Sequence, residues 1–310
     1  MTNTFKAWLY LILLSIIWGS SFLLIKLGLM DENGNERLTP EHLGALRLSL
    51  AFIVLIPFTF KYFLKTNKKD LLFLSIVGVL GNGAPAFLFS YAEIHLSSSL
   101  TGMLNSLVPV FTILIAVLAF SFIWKINHLM GIAVSIIGTL FILNNNDLSF
   151  WESNFLAISF VLVGSLCYSI SLNIIKYKLY HLHPNHITSF SFLFIGPPCI
   201  TYLILEDFPR HIQQNPMGYD GVIAVLILAI IGTSVAVLLF NKLIKISNAV
   251  FASSVTYFIP IVAVILGGFY KEEITFNQIF GLLLVLTGVL LLNIENPISK
   301  LKALTKFAKK

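Results

Sequence analysis

Apolar residues run through this chain in long blocks separated by short polar segments. A helix needs roughly 20 mostly apolar residues to cross a bilayer. Ten blocks approach that length: 7–28, 43–63, 71–91, 97–120, 127–144, 155–175, 187–206, 220–241, 249–269 and 276–294. The longest connections, 29–42 and 207–219, leave no room for a soluble domain. The pattern predicts an all-α polytopic membrane protein with ten transmembrane helices.

The blocks repeat. Gly81, Phe89 and Pro109 fall on Gly232, Phe240 and Pro260 at an offset of 151. One residue is dropped in the next loop, and Gly131 and Gly138 then fall on Gly281 and Gly288 at an offset of 150. LLIK ending at Lys26 pairs with NIIK ending at Lys176. Residues 1–150 and 151–296 therefore read as two five-helix copies, followed by a basic tail, 297–310. Five spans is an odd number, so the second copy enters the membrane from the opposite side. The copies are expected to be inverted repeats, related by a pseudo-two-fold axis in the membrane plane, as in transporters that work by alternating access.

Charge sets the orientation. With the N-terminus in the cytoplasm, the inside segments hold fifteen Lys residues, from Lys6 through Lys125 to Lys310, and the outside segments hold only Arg37, Arg210 and Lys271. That bias follows the positive-inside rule and puts both termini in the cytoplasm. Lys26 and Arg47 lie near the outer ends of the first two spans. The net charge of +6 is thereby explained without nucleic acid as a partner. The tail KLKALTKFAKK is expected to lie on the anionic inner leaflet.

Composition agrees. Charged residues make up 11% of the chain against 57% hydrophobic, where a soluble domain carries about 25% charged. Lys6 followed by WLYLILLSIIWG has signal-peptide features, but the repeat needs this segment as its first span. Cys167 and Cys199 sit inside apolar runs, so neither a disulfide nor a metal site is expected from them. His181, His183 and His186 stand on a loop beside Lys176 and Lys178, and no metal or other cofactor is expected there.

Two stretches carry a resemblance. WGSSFLLIK (Trp18–Lys26) with ALRLSLA (Ala45–Ala51), and the block Ile246–Leu292, resemble the EamA family of the drug/metabolite transporter superfamily. The resemblance covers essentially the whole chain. It implies ten helices in two inverted halves, a central cavity lined mainly by helices 1, 3, 4, 6, 8 and 9, and export of small metabolites or amino acids across the inner membrane. The family usually carries a Gly-Glu pair after helices 4 and 9. Glu272 fits after helix 9, but SFIWKIN after helix 4 has no acid. Glu272 is therefore read as a loop-capping group and not as a coupling site.

Polar side chains at membrane depth either satisfy neighbouring helices or line a water-filled path. Repeat-matched pairs are the best candidates for the path, because the symmetry axis brings them together. Trp18 matches Tyr168, Asn82 matches Thr233, and Asn105 matches Thr256, one step before Tyr257; Asn173 stands nearby. Ser90 matches Asn241 nearer the span ends. These eight residues, Trp18, Asn82, Asn105, Tyr168, Asn173, Thr233, Thr256 and Tyr257, form the candidate substrate site. Ring faces would take apolar or cationic parts, and amides and hydroxyls would take carboxyl or amino ends. Packing and an interfacial aromatic belt are the plainer readings. Pro109 and Pro260 each remove a backbone hydrogen bond, which marks a hinge or merely a kink.

Ionisable groups are informative by their scarcity. No Asp or Glu lies near the centre of a span. Glu93 and Arg47 lie near the same membrane face, as an outer-rim ion pair or as an outer gate in which Arg47 anchors a substrate carboxylate. The missing central acid argues against a carboxylate proton relay and for a facilitator, or an exchanger coupled elsewhere. The expected function is a secondary transporter, exporting small organic solutes with amino-acid-like ones favoured. The rivals are an exporter of amphipathic drugs, an intramembrane enzyme on lipid-linked substrates, and a receptor. An enzyme would need a catalytic constellation at membrane depth, and no catalytic residue is identified. The partners expected are a small-molecule substrate and the lipid bilayer, with a homo-oligomer left open.

Overall fold

A computed structural model describes residues 3–63, 66–123, 125–144, 148–215, 217–247, 251–252 and 254–293. The basic tail 297–310 lies outside these residues. Apart from an isolated bridge between Met30 and Glu36, the regular elements described are all helical. In chain order they are α1 (Asn3–Leu29), α2 (Pro40–Tyr62), α3 (Lys68–Gly78), a π-helical segment (Val79–Gly83), α4 (Ala84–His95), α5 (Ser98–Asn105), α6 (Val108–Phe120), α7 (Ile126–Ile142) and α8 (Leu148–Lys178). There follow α9 (Pro184–Leu205), α10 (Phe208–Gln214), α11 (Gly218–Ile227), a second π-helical segment (Leu228–Val235), α12 (Ala236–Ile246), α13 (Val255–Phe269) and α14 (Phe276–Asn293).

Among the described residues, seven helical stretches are long and apolar enough to cross a membrane: Thr4–Leu29, Pro40–Tyr62, Lys68–His95, Ser98–Phe120, Phe150–Lys178, Pro184–Leu205 and Gly218–Phe240. Three shorter apolar helices, Ile126–Ile142, Val255–Phe269 and Phe276–Leu292, stand where the remaining blocks fall. At 1.5 Å per residue, the 15 residues of α13 span only about 22 Å. The difference from the expected 249–269 is a break before Val255, where Ser254 turns without a side-chain cap.

Local chemistry sets the boundaries. Thr39, Asn67 and Ser97 accept hydrogen bonds from the backbone N–H of His42, Asp70 and Leu100, capping α2, α3 and α5. The α1–α2 connection folds on Asp31, whose carboxylate accepts from the Asn35 amide and from the backbone N–H of Asn35 and Asn33. Those bonds hold the Asp31 carboxyl below the usual carboxylate range. Arg37 closes the same connection by donating to Leu27 O at 2.8 Å and pairing with Asp220 at 3.7 Å.

Packing follows the duplication. The most extensive contacts join α7 to α14 and α2 to α9, each pairing a helix with its own copy. α1 packs on α13, and its copy α8 packs on α6. α1 also packs on α11 and α12, as α8 packs on α4. At matched positions, Gly19 lies against Ile259 O, and Ser169 donates to Val108 O at 2.9 Å. Phe60, Leu118, Phe269 and Phe276 project outward with more than three quarters of their surface exposed. Lipid, not water, satisfies such a surface.

Candidate functional site

The site begins with two irregularities in the backbone. The π segments Val79–Gly83 and Leu228–Val235 occupy repeat-matched positions. Each contains a matched glycine, Gly81 or Gly232, followed by a matched polar residue, Asn82 or Thr233. In the first, Pro85 has no N–H to return to the Gly81 carbonyl, which favours the wider turn. No proline follows the second, and the shared glycine is the common feature. Wide turns of this kind concentrate at functional sites. Trp18 uses the second one directly, its Nε1–H donating to Gly232 O at 3.1 Å.

Two cavities meet at this level. One, of about 320 Å³, lies toward the α8–α9 connection and is lined by Trp18, Asn82, Asn105, Tyr168 and Thr256, with Ile175, Thr188 and Ser191 beyond them. The other, of about 260 Å³, lies toward the α1–α2 connection. It shares Trp18, Asn82, Asn105 and Tyr168 and adds Phe22, Arg47, Phe89 and Thr233. The aromatic frame is reciprocal between the copies. Trp18 packs on Phe240 with ring centroids 5.3 Å apart, and Tyr168 packs on Phe89 at 5.7 Å. Phe22 meets Phe89 edge to face at 6.1 Å.

The shared lining keeps polar capacity in reserve. No side-chain hydrogen bond joins Arg47, Asn82 or Tyr168 to another described residue. Asn105 accepts from Ser165 Oγ at 3.4 Å, which leaves its amide N–H groups uncommitted. Among the described residues, no Asp or Glu lines either cavity. The prolines frame the same level. Pro109 stands in the first turn of α6, after the break at Ser106–Leu107, and Pro260 stands inside α13. Lacking an N–H, they cannot return the i−4 bond to the carbonyls of Asn105 and Thr256, the matched pair of the site.

The end of the molecule nearest the α1–α2 connection is fastened by two charged side chains. The Glu272 carboxylate accepts from Ser98 N (2.8 Å), Ser98 Oγ (2.7 Å), Ser99 N (2.9 Å) and Ser99 Oγ (2.5 Å), capping the N-terminus of α5 across the interface. Lys26 Nζ donates to Glu93 O (2.6 Å) and Leu96 O (3.2 Å) at the C-terminus of α4. An anion at a helix N-terminus and a cation at a C-terminus are each favourable. Ser121 occupies the position that matches Glu272, so the other end has no such carboxylate there.

Six of the eight expected substrate residues line a cavity: Trp18, Asn82, Asn105 and Tyr168 both, Thr256 the first and Thr233 the second. Asn173 lines neither. It is buried, and its amide donates to Thr112 O at 2.9 Å, tying α8 to α6, and to Ser169 O within α8 at 2.9 Å. Tyr257 lines neither and donates to Val289 O at 3.4 Å. The side chain of Asn241 lies outside the described residues, and Ser90 is buried with its hydroxyl on Ala86 O. No ion pair joins Arg47 and Glu93 among the described residues. Glu93 is fully buried, and Arg47 faces the cavity. The sequence reading missed the paired π segments and the partners of Lys26 and Glu272. The matched Gly-polar dipeptides are the one signal that could have pointed to the former.

Comparison with known proteins bears on this arrangement. The model of the EamA-like transporter family matches residues 5–144 and again 155–294. An uncharacterized transporter of Bacillus subtilis, YoaV, is 23% identical over 287 residues, covering 92% of this chain and 95% of its own. A "Probable amino-acid metabolite efflux pump" of Salmonella typhimurium is 24% identical over 291 residues, covering 90% and 91%. A solved crystal structure superposes with a TM-score of 0.60 at 14% identity, covering 94% of this chain and 97% of that one, and shares the fold. Two matched stretches spanning the chain, on an all-helical multi-pass architecture, place it: the protein belongs to the EamA-like transporter family.

Proposed function

We propose that the protein is a secondary transporter that exports small, amino-acid-like organic solutes across the cytoplasmic membrane by alternating access. In this reading ten membrane-crossing segments form two inverted copies, 1–150 and 151–296. Both termini and the basic tail 297–310 face the cytoplasm. The 320 Å³ cavity then lies in the cytoplasmic half and the 260 Å³ cavity in the outer half.

The observation that carries the proposal is the convergence of repeat-matched side chains on one level. The matched pair Trp18 and Tyr168 lines both cavities, as do Asn82 and Asn105, whose matches Thr233 and Thr256 each line one of them. Rings and amides together suit a solute with an apolar body and polar ends. The antiparallel meeting of α7 with its copy α14 supports inverted topology. The efflux-pump name of the Salmonella relative favours the outward direction.

Flux from proteoliposomes holding the purified protein, loaded with labelled amino acids, nucleosides or cationic dyes, tests the reading. Saturable, competitor-sensitive efflux of amino acids is expected. Absence of flux for every class, from protein shown to be folded and inserted, would contradict it.

A further inference from the structure

We propose that the cavity in the outer half is an anion subsite, in which Arg47 holds the carboxylate of the transported solute. The inference deepens the transporter reading and rests on it. It also narrows the substrate class: net anions and zwitterions enter, and cationic amphipaths do not.

The charge balance of the site is the first argument. Arg47 lines the 260 Å³ cavity and is charged at every attainable pH. Its guanidinium makes no hydrogen bond and no ion pair with another described residue. Glu93, the acid whose charge acts on Arg47, is 0% exposed, and neither of its carboxylate oxygens has a hydrogen-bond partner among the described residues. Lys26 spends its ammonium on the Glu93 and Leu96 carbonyls. Glu272 spends its carboxylate on Ser98 and Ser99. Among the described residues no acid lines the cavity and none forms an ion pair with Arg47, so the charge of Glu93 acts on the guanidinium without occupying its hydrogen-bonding fork. A cation held away from bulk water is costly unless an anion joins it. The group able to join it is one that arrives by the transport path.

Geometry is the second argument. A guanidinium presents a planar fork that matches a carboxylate in two parallel hydrogen bonds. Asn82, Asn105 and Tyr168 share the cavity with Arg47 and keep uncommitted polar atoms. The ring of Trp18 is available as a wall, because its N–H is already committed to Gly232 O. A carboxylate on Arg47 thus places the α-substituents of a small acid among the amides and its apolar remainder on the rings. A cationic amine in the same position would meet Arg47 with no acid in the cavity lining to accept it.

Matched probes test this. Phenylalanine and leucine, their 2-hydroxy acids and their amides share a side chain and differ in charge at the head. Binding is read as thermal stabilisation of the detergent-purified full chain, and transport as efflux from proteoliposomes. The amino and hydroxy acids are expected to stabilise the wild type and to be exported, whereas the amides do neither. Arg47→Gln is expected to weaken acid binding at least tenfold while its ligand-free melting point stays near that of the wild type. Arg47→Lys should recover part of the loss, because charge remains and the fork does not. If Arg47→Gln fails to fold, the comparison of acids with amides on the wild type still decides. Equal binding of acids and amides, or unchanged acid affinity in folded Arg47→Gln, would overturn the anion subsite and leave the transporter standing. Lack of flux for all probes would contradict the transporter instead, and the binding arm would still accept or reject the subsite.

Discussion

Gly131 of α7 faces Gly288 of α14 so closely that a Cβ built on Gly131 would lie 2.6 Å from the Gly288 carbonyl oxygen. The reciprocal contact repeats seven residues along: a Cβ on Gly138 would lie 2.6 Å from Gly281 O. Gly131 and Gly281 are matched positions, and so are Gly138 and Gly288. Ser135, midway, donates toward Val285 O, its own match, at 3.5 Å. A two-fold relation between antiparallel helices produces this pattern, with residue i on j′ and j on i′. Small residues are what allow helices to approach this closely in lipid.

Gly131→Leu or Gly288→Leu should therefore part the helices. Overpacking against backbone costs about 1–3 kcal/mol or more, so either variant should melt several degrees lower and give less monodisperse protein. Gly268→Ala is the internal control. Its added Cβ meets nothing nearer than Ile274 Cδ1 at 3.7 Å, and its melting point should not fall.

Asn82 and Asn173 should separate by phenotype. Asn82→Ala removes an amide that the protein itself does not use, so flux should fall at least tenfold with the yield of folded protein unchanged. Asn173→Ala removes one bond from α8 to Thr112 O of α6 and one within α8 to Ser169 O, each worth about 1 kcal/mol. It should lower the melting point while the half-saturating solute concentration of the surviving protein stays the same. Flux assays paired with fluorescence-detected size exclusion read both.

The Glu272 clamp should be worth more than a surface ion pair, because charge-assisted bonds contribute about 1.5–3 kcal/mol. Glu272→Ala should lower the melting point and shift the resting protein toward the form open on the outside. Glu272→Asp, one methylene shorter, should recover little of either. Distance measurements between spin labels on the two outer connections would register the shift.

Pro109→Ala and Pro260→Ala restore an N–H opposite the carbonyls of Asn105 and Thr256. Straighter, stiffer helices should result, with melting points equal or higher and turnover lower. Equal turnover in both variants would reduce the prolines to packing residues.

Much of this was legible from one dimension because lipid imposes a simple rule on sequence. Long apolar blocks announce helices, and a duplicated block announces its partner. Trp18, Tyr168, Asn82 and Asn105 stood out because matched polar residues are hard to explain twice by packing. Asn173 shows the limit of that logic. A mid-span amide in a packing contact and one in a cavity look alike until the facing backbone is known. The π segments were invisible because a widened turn leaves the apolar pattern intact. Arg47 and Glu93 fall near one membrane face, but their pairing depended on side-chain direction, and Arg47 faces the cavity.

Alternating access predicts that a residue at the meeting level of the two cavities is reachable from each side of the membrane in turn. Asn105→Cys, with Cys167 and Cys199 replaced by Ser, can be challenged with a membrane-impermeant thiol reagent in right-side-out and inside-out vesicles. Labelling from both faces is the expected result, with a transported amino acid changing the ratio between them. Labelling from one face alone, whatever solute is present, would contradict a transporter built around this cavity.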